Sequence, residues 1–483
     1  MSDSNFYITT TLPYVNAEPH IGFALEIVTA DIIARLHRQQ GDSVIFNTGT
    51  DEHGQKIYDK STEEQIDPQQ YVDKHAALFN QLQEQLDLSF DRFIRTTNTE
   101  HCQAAQQFWQ ICTDNDYIYK DQYQIMYCVG CELEKQASEL EDGRCPLHPN
   151  QDLVIREEEN YFFRFSAFQQ PLLELYQSNP DFVKPESKLR EIESFVAGGL
   201  SDFSISRLKA KMPWGIPVPG DDDHVMYVWF DALVNYISTL GWPKDTTTFA
   251  EYWPGTQIAG KDNLRQQAAM WQAMLMAAKL PPSRQILING FISVAGQKMS
   301  KSLGNVISPK QLVERYGTDA ARMLLFSLGP VANDMDVTWE RFDELYTAVL
   351  ANGVGNLSSR LATLAAKTEL PADIFAQNQT PTELDTTFAR LLVDADFQAA
   401  NQHLLDQIRS IDGYLSETTP WKLAGTEKTI AVSHALGLLL RLFSQLSVIM
   451  PATIQQLQQH FGQSPITPLA PLFPRIATPI PHV

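Results

Sequence analysis

The hydrophobic positions along this chain change their period near residue 340. Before that point, short apolar runs alternate with helical stretches. Phe6-Tyr7-Ile8-Thr9-Thr10-Thr11-Leu12 is β-branched and aromatic without alternation, which predicts a buried strand. Pro13, Asn16 and Pro19 break it, and from Ile21 the positions Leu25, Val28, Ile32 and Leu36 recur at helical spacing. Strand, loop and helix form the opening unit of a dinucleotide-type α/β fold. Further strands are predicted at Val44–Thr48, Phe93–Thr97, Val225–Phe230, Ile258–Asp262 and Ile286–Ile292. A helical stretch follows Arg164 to about Asn179, and Pro213–Pro219 is too proline-rich for a helix. After about residue 340 the strands stop. Leu345, Val349, Val354, Leu357, Leu361 and Leu364 recur at helical spacing, as do segments 386–411 and 427–450, which predicts a helix bundle.

Length and charge then narrow the picture. The chain has 483 residues and 43% hydrophobic content, enough for several cores. No apolar run reaches the roughly 18 residues of a membrane span, and the polar start is not a secretory signal. Five cysteines, an odd and low number, argue against a disulfide framework and for a reducing cytoplasm. A net charge of −21 argues mildly against nucleic acid, although a local basic groove is compatible with it.

Four stretches carry chemistry. Gln297-Lys298-Met299-Ser300-Lys301-Ser302-Leu303-Gly304 places two lysines among small hydroxyl donors in a glycine-flanked loop, which suits a polyphosphate whose charge changes during reaction. Its bland alternative is a solvated turn. His20-Ile21-Gly22 stands at a predicted helix start, where free N–H groups and the dipole favour an anion, and Gly22 lets a ligand approach the backbone. Asp51, beyond the second strand, suits a substrate ammonium group, or else caps the next helix. Cys128-x2-Cys131 and Cys145-x2-His148, thirteen residues apart, have the spacing of a closed tetrahedral zinc site without an open coordination position. Cys102 and Cys112 read as core thiols.

Leu12-Pro13-Tyr14-Val15-Asn16, His20-Ile21-Gly22-Phe23, Thr48-Gly49-Thr50-Asp51-Glu52-His53-Gly54 and Lys298-Met299-Ser300-Lys301-Ser302 together resemble the bacterial methionyl-tRNA synthetases of class I. The resemblance runs through about Ile476. It implies an α/β fold whose parallel sheet is split by a zinc-knuckle insertion and followed by an all-α anticodon-binding bundle. The expected divisions are 1–115 and 223–292 for the catalytic fold, 116–222 for the insertion, 293–340 for the signature loop and stem-contact region, and 341–483 for the bundle. It implies L-methionine, ATP with Mg2+ and tRNA(Met) as partners, structural Zn2+ on Cys128, Cys131, Cys145 and His148, a cytoplasmic location, no membrane, and a monomer.

By the same resemblance His20, Lys298, Lys301 and Arg207 serve catalysis, Arg207 standing in an Ile-Ser-Arg string. Gly22, Asp262 and Ser300 complete the ATP site, Asp262 near the ribose. Leu12, Tyr14, Asp51, Trp229, Ala232, Leu233, Tyr236, Asn263 and Gln267 hold the amino acid, the thioether preferring aromatic edges. Asn356, Arg360 and Trp421 read the anticodon by stacking and edge contacts. Three positions depart from the family pattern. Phe23 replaces a second histidine, and Asn263 and Gln267 replace an apolar residue and a histidine on one predicted helix face. Rival readings are a synthetase for another amino acid, a tRNA-independent ligase and an inactive tRNA-binding paralogue.

Overall fold

The computed structural model describes residues 4–128, 133–135, 140, 143–146, 153–294, 296–298, 305–329, 334–371 and 384–476. At its centre is a six-stranded sheet in the order Arg92–Arg95, Ser43–Thr50, Asn5–Thr10, Thr256–Gly260, Gln285–Asn289, Val183–Lys184. Every neighbouring pair is parallel. Asn5–Thr10 shows one partly buried residue and then five buried ones, as its unbroken apolar and β-branched run predicts. The chain leaves this strand toward Ser43–Thr50 on one side and returns much later to Thr256–Gly260 on the other. The gap between those two directions is a topological switch point, where open α/β sheets bind ligands beyond the carboxyl ends of their strands.

Helix Ile21–Gln39 makes the first crossover. His20 caps its start with an extended backbone, its Nδ1 accepting from Gly22 N at 3.1 Å. Ile21, Leu25, Val28, Ile32 and Leu36 are buried, as their spacing predicts.

Between helix Thr99–Asp114 and strand Thr256–Gly260 the chain builds two antiparallel sheets. One has four strands, with Ile118–Cys128 between Leu133–Lys135 and Val154–Phe163, and Phe203–Ser204 on its edge. The other has three, with Asp221–Met226 between Pro217–Val218 and Ser206–Leu208. This region also lends Val183–Lys184 to the edge of the central sheet.

Two sequence expectations shift locally. The strand predicted at Val225–Phe230 ends at Met226, and Val228–Leu233 is a helix. A short apolar run does not distinguish the two by periodicity. Asp231 lies in the first turn of that helix and faces His53. The run Ile286–Ile292 splits at Asn289-Gly290-Phe291, and Ile292–Val294 joins a separate three-stranded sheet with Gln297–Lys298 and Met335–Val337.

Past residue 338 the described chain is helical: Trp339–Leu345, a π-helical stretch Tyr346–Gly355, Asn356–Ala365, Thr386–Val393, Phe397–Thr418, Gly425–Leu446 and Pro451–Phe461. Pro420-Trp421-Lys422 is a separate 3-10 turn, and the next helix begins at Gly425. Gly425–Leu446 is long and apolar enough to cross a membrane by composition. Val432, Leu436, Leu439 and Phe443 instead bury one face within the bundle.

The two halves are joined by a buried ion pair. Arg322 Nη2 donates to Asp31 Oδ2 at 2.7 Å, and neither side chain is solvent-accessible. The same guanidinium donates to the carbonyls of Leu86, Val448 and Ile449. It therefore ties helix Ile21–Gln39 to the turn before the last long helix. A buried charge needs this degree of satisfaction to be tolerated.

Candidate active site

A cavity of about 930 Å3 opens at the switch point. Leu12, Tyr14, His20, Gly22, Asp51 and Arg207 line it. So do Trp229, Ala232, Leu233, Tyr236, Asp262, Asn263 and Gln267. These residues come from separate stretches of sequence, and the sheet order brings them together.

One end is built for an anion. His20 spends Nδ1 on capping Gly22 N, so a neutral ring carries its proton on Nε2 and has a donor left over. The protein atoms crowded around His20 lower its pKa, and the Asp262 carboxylate pulls the other way. Arg207 Nη1 donates to Ser204 Oγ and Ser206 O, and its guanidinium lies 4.6 Å from the Tyr227 ring centroid. It makes no ion pair with a described residue. The lysine loop leaves this side. Lys298 pairs with Ser293 along a short antiparallel ladder, and Gly296 N donates to Asp336 Oδ1 at 2.6 Å. Ser300 and Lys301 lie outside the described residues.

The other end combines carboxylates with aromatic rings. Asp51 is held by its backbone, its N–H donating to Pro13 O and its carbonyl accepting from Val15 N. The next helix is capped by Gly54 and not by Asp51, so capping does not explain this residue. Its Oδ1 is buried with no hydrogen-bond partner. Burial first, and the neighbouring Asp231 carboxylate second, raise its pKa well above the usual carboxylate range. Asp231 is fully buried and raised too, by burial, with His53 Nδ1 at 3.1 Å working against the shift. Asp51 and Asp231 are thus neighbouring buried carboxyls, only the second of them facing His53, and a ligand cation beside Asp51 would favour its ionised form.

Beside them, Tyr236 is buried against Trp271 at a centroid distance of 5.8 Å. Trp229 and Leu233 come from helix Val228–Leu233, of which the sequence predicts only Val228–Phe230 as strand. Lys261–Asn263 is a 3-10 turn and Gln266–Met270 a π-helix, so the expected regular helix face is interrupted. Such π-turns are frequent at functional sites. Gln267 accepts from Gln257 Nε2 at 3.0 Å, and its carbonyl accepts from Gln272 Nε2 at 2.8 Å. Its amide thus belongs to a buried network with Gln257, Gln272 and Ser283, not to a pair with Asn263.

The structure adds Glu26 and Asn289 to the cavity lining, neither singled out by the sequence, and Gln257, which bonds Gln267; it also places Phe23 there. Glu26, one turn into the first helix, accepts from Thr11 N at 2.8 Å and Thr11 Oγ1 at 2.6 Å. Burial pushes its carboxyl up to about 8. A glutamate inside an apolar helix face was the available signal. Phe23 packs edge-on against Phe79 at 5.6 Å, so the aromatic ring in place of the family's histidine makes an apolar wall. Gln257 and Asn289 gave no sequence signal, because a single polar residue in a strand is unremarkable.

The remaining predicted residues lie elsewhere. Asn356 is exposed on helix Asn356–Ala365, and Arg360 on the same helix pairs with Asp412. Asp412 belongs to helix Phe397–Thr418, which leads into the turn carrying Trp421. Trp421 is 51% exposed, so it is not a bundle-core residue. Of the four proposed zinc ligands, Cys131 and His148 lie outside the described residues. Cys128 ends strand Ile118–Cys128 and pairs with Leu133, and Cys145 is buried. Cys112 is buried, and the half-buried Cys102 Sγ donates to Thr96 O at 3.4 Å. Burial pushes the Cys102 thiol up to about 12, as suits a structural thiol.

Comparison with known proteins agrees with this geometry. The family model described as tRNA synthetases class I (M) matches residues 6–146 and 130–362. A methionine–tRNA ligase of Thermosynechococcus vestitus is 40% identical over 477 residues, covering 95% of this chain and 90% of that protein. One from Streptomyces coelicolor is 38% identical over 488 residues, covering 95% and 90%. The methionyl-tRNA synthetase of Mycobacterium tuberculosis, solved bound by methionyl-adenylate, superposes with a TM-score of 0.84 at 33% identity, covering 99% of each chain. With a family model over most of its length and relatives aligned nearly end to end, the chain belongs to the class I tRNA synthetases of the methionine type.

Proposed function

We propose that this chain activates L-methionine with ATP and transfers the methionyl group to tRNA(Met). In the first step the methionine carboxylate attacks the α-phosphorus. The bond to the leaving pyrophosphate breaks, giving methionyl-adenylate. In the second, a hydroxyl of the terminal tRNA adenosine attacks the methionyl carbonyl and AMP leaves. No covalent enzyme intermediate is required, so catalysis consists of positioning and charge stabilisation.

The observation that carries this reading is Asp51, a buried carboxylate with an unpartnered oxygen beside an aromatic slot. It accepts the methionine ammonium group, which restores its ionised form. Trp229, Tyr236, Leu12, Tyr14, Ala232 and Leu233 surround the thioether chain, and Asn263 and Gln267 close its far side. His20 Nε2 and the helix start at Gly22 meet the phosphates, Asp262 the ribose, and Arg207 the carboxylate or α-phosphate. Lys298, Ser300 and Lys301 hold the departing pyrophosphate, with Mg2+ on the ATP. Asn356, Arg360 and Trp421 form the anticodon contact.

Zinc is part of the proposal as a structural ion. The pairing of Cys128 with Leu133 closes a hairpin whose connection, 129–132, contains Cys131, and the buried Cys145 is compatible with ligation. When bound, the ion would cross-link the tip of the insertion and take no part in the reaction.

The test is methionine-dependent exchange of pyrophosphate into ATP, followed by charging of transcribed tRNA(Met). Both activities are expected. Exchange without charging would leave an amino-acid-activating ligase, and neither would leave a binding protein.

A further inference from the structure

Asn289 is the last residue of strand Gln285–Asn289 and pairs in register with Gly260 at the end of the neighbouring strand. Its side chain is 6% exposed and lines the cavity, yet its Nδ2 has no hydrogen-bond partner. A buried amide nitrogen is seldom left unpaired unless something absent completes it. Asp262 stands two residues beyond Gly260. Its carboxylate makes no hydrogen bond or ion pair with a described residue, and it reaches back over the strand end. A Cβ placed on Gly260 would lie 2.9 Å from Asp262 Oδ1. The floor of the nucleotide end therefore offers a donor-only nitrogen and an acceptor-only carboxylate, both unspent and on adjacent strand ends.

That pairing fits two vicinal hydroxyl groups, since each hydroxyl can both donate and accept. We propose that Asn289 is a specificity residue for the sugar. Its amide N–H donates to one hydroxyl of the ribose cis-diol while Asp262 accepts from the other. An adenine edge also sets an acceptor, N1 or N7, beside its N6 donor, and the deoxy nucleotides, which keep the base and lose one hydroxyl, separate the sugar from the base. A phosphate would be repelled by Asp262 and is drawn to the His20 helix start instead. The inference rests on the reading of this cavity as an ATP site.

The test is equilibrium binding of ATP, 2′-deoxy-ATP and 3′-deoxy-ATP by calorimetry, on the full chain and on Asn289→Ala and the volume-conserving Asn289→Leu. Wild type should bind ATP more tightly than at least one deoxy nucleotide. Either variant should weaken ATP binding about 3- to 10-fold, the worth of one hydrogen bond. It should leave unchanged the affinity for the one deoxy nucleotide that lacks the partner hydroxyl, and the affinity for methionine. Equal weakening for all three nucleotides, no weakening, or a wild type indifferent to both hydroxyls would overturn the assignment. Methionine-dependent pyrophosphate exchange by the wild type tests the underlying reading separately.

Discussion

At the scale of single residues, the account turns on two buried acids with opposite duties. Asp51 is raised by burial and by Asp231, and a bound ammonium would bring it back to its charged form. Asp51→Asn keeps the shape and removes the charge. Steady-state exchange should show the methionine KM rising by about 10- to 100-fold, as loss of a charged hydrogen bond of roughly 1.5–3 kcal/mol requires, with the ATP KM little changed. A matching rise in both constants would assign Asp51 to folding. Glu26 instead holds the Thr11 backbone next to the cavity. Its folded pKa of about 8 lies above its ordinary value of 4.5, so the folded state binds the proton more tightly than the unfolded one. Its contribution is fully present at pH below the unfolded value and is lost as pH rises toward about 8. Thermal unfolding between pH 5 and 9 should show wild type losing stability relative to Glu26→Gln as pH increases. Parallel curves would contradict the assignment.

The residues that resisted reading share one cause. Asp51, His20 and Gly22 stand in compact strings beside a strand end or helix start, where local pattern and chemistry coincide. Gln257 and Asn289 acquire their roles only because two strands far apart in sequence lie side by side. A single sequence does not carry that juxtaposition.

At the scale of elements, the pattern located five of the six central strands to within a few residues, missing the two-residue Val183–Lys184, and it located helices Ile21–Gln39, Phe397–Thr418 and Gly425–Leu446. It failed where a short apolar run carried no period, as at Val228–Phe230, and where the backbone left regular geometry, as at Gln266–Met270. The π-turn has a consequence for specificity. The side-chain oxygen of Gln267 is committed to Gln257 Nε2 and its backbone carbonyl to Gln272 Nε2, so neither acceptor demands a donor on the substrate side chain. A buried amide lacking partners would cost about 1–3 kcal/mol and would favour a polar substrate. The hairpin of the insertion is the other element with a sharp expectation. Purified protein should contain about one zinc per chain by elemental analysis. Cys145→Ala should lose it and unfold the insertion, since structural zinc supplies roughly 10–16 kcal/mol in small folding units. Metal-free wild type with unchanged folding and activity would remove zinc from the account.

At the scale of the whole molecule, the catalytic sheet and the helical bundle are locked by Arg322 and Asp31. Burial alone would raise the Asp31 pKa, but Arg322 and Arg35 hold it below its ordinary range. Arg322→Met removes the fully buried partner of that carboxylate, leaving it Arg35 and Ser89, and should cost up to about 3–5 kcal/mol in denaturant unfolding. The double variant with Asp31→Leu should recover part of the loss, and no recovery would mean that the carbonyl contacts, not the ion pair, carry the stability. The anticodon contact proposed for the bundle centres on Trp421, which is exposed. Trp421→Ala should weaken tRNA charging by about 1–3 kcal/mol, the worth of one base stack, and leave exchange near normal. Equal losses in both assays would place Trp421 in folding.

The central claim is that the slot beside Asp51 selects methionine. Its most direct test is steady-state pyrophosphate exchange by the wild type with methionine, norleucine, leucine, isoleucine and glutamine. Methionine should give the highest kcat/KM, with norleucine modestly below it and the branched chains far below. A preference for glutamine, or no preference among the five, would contradict the account.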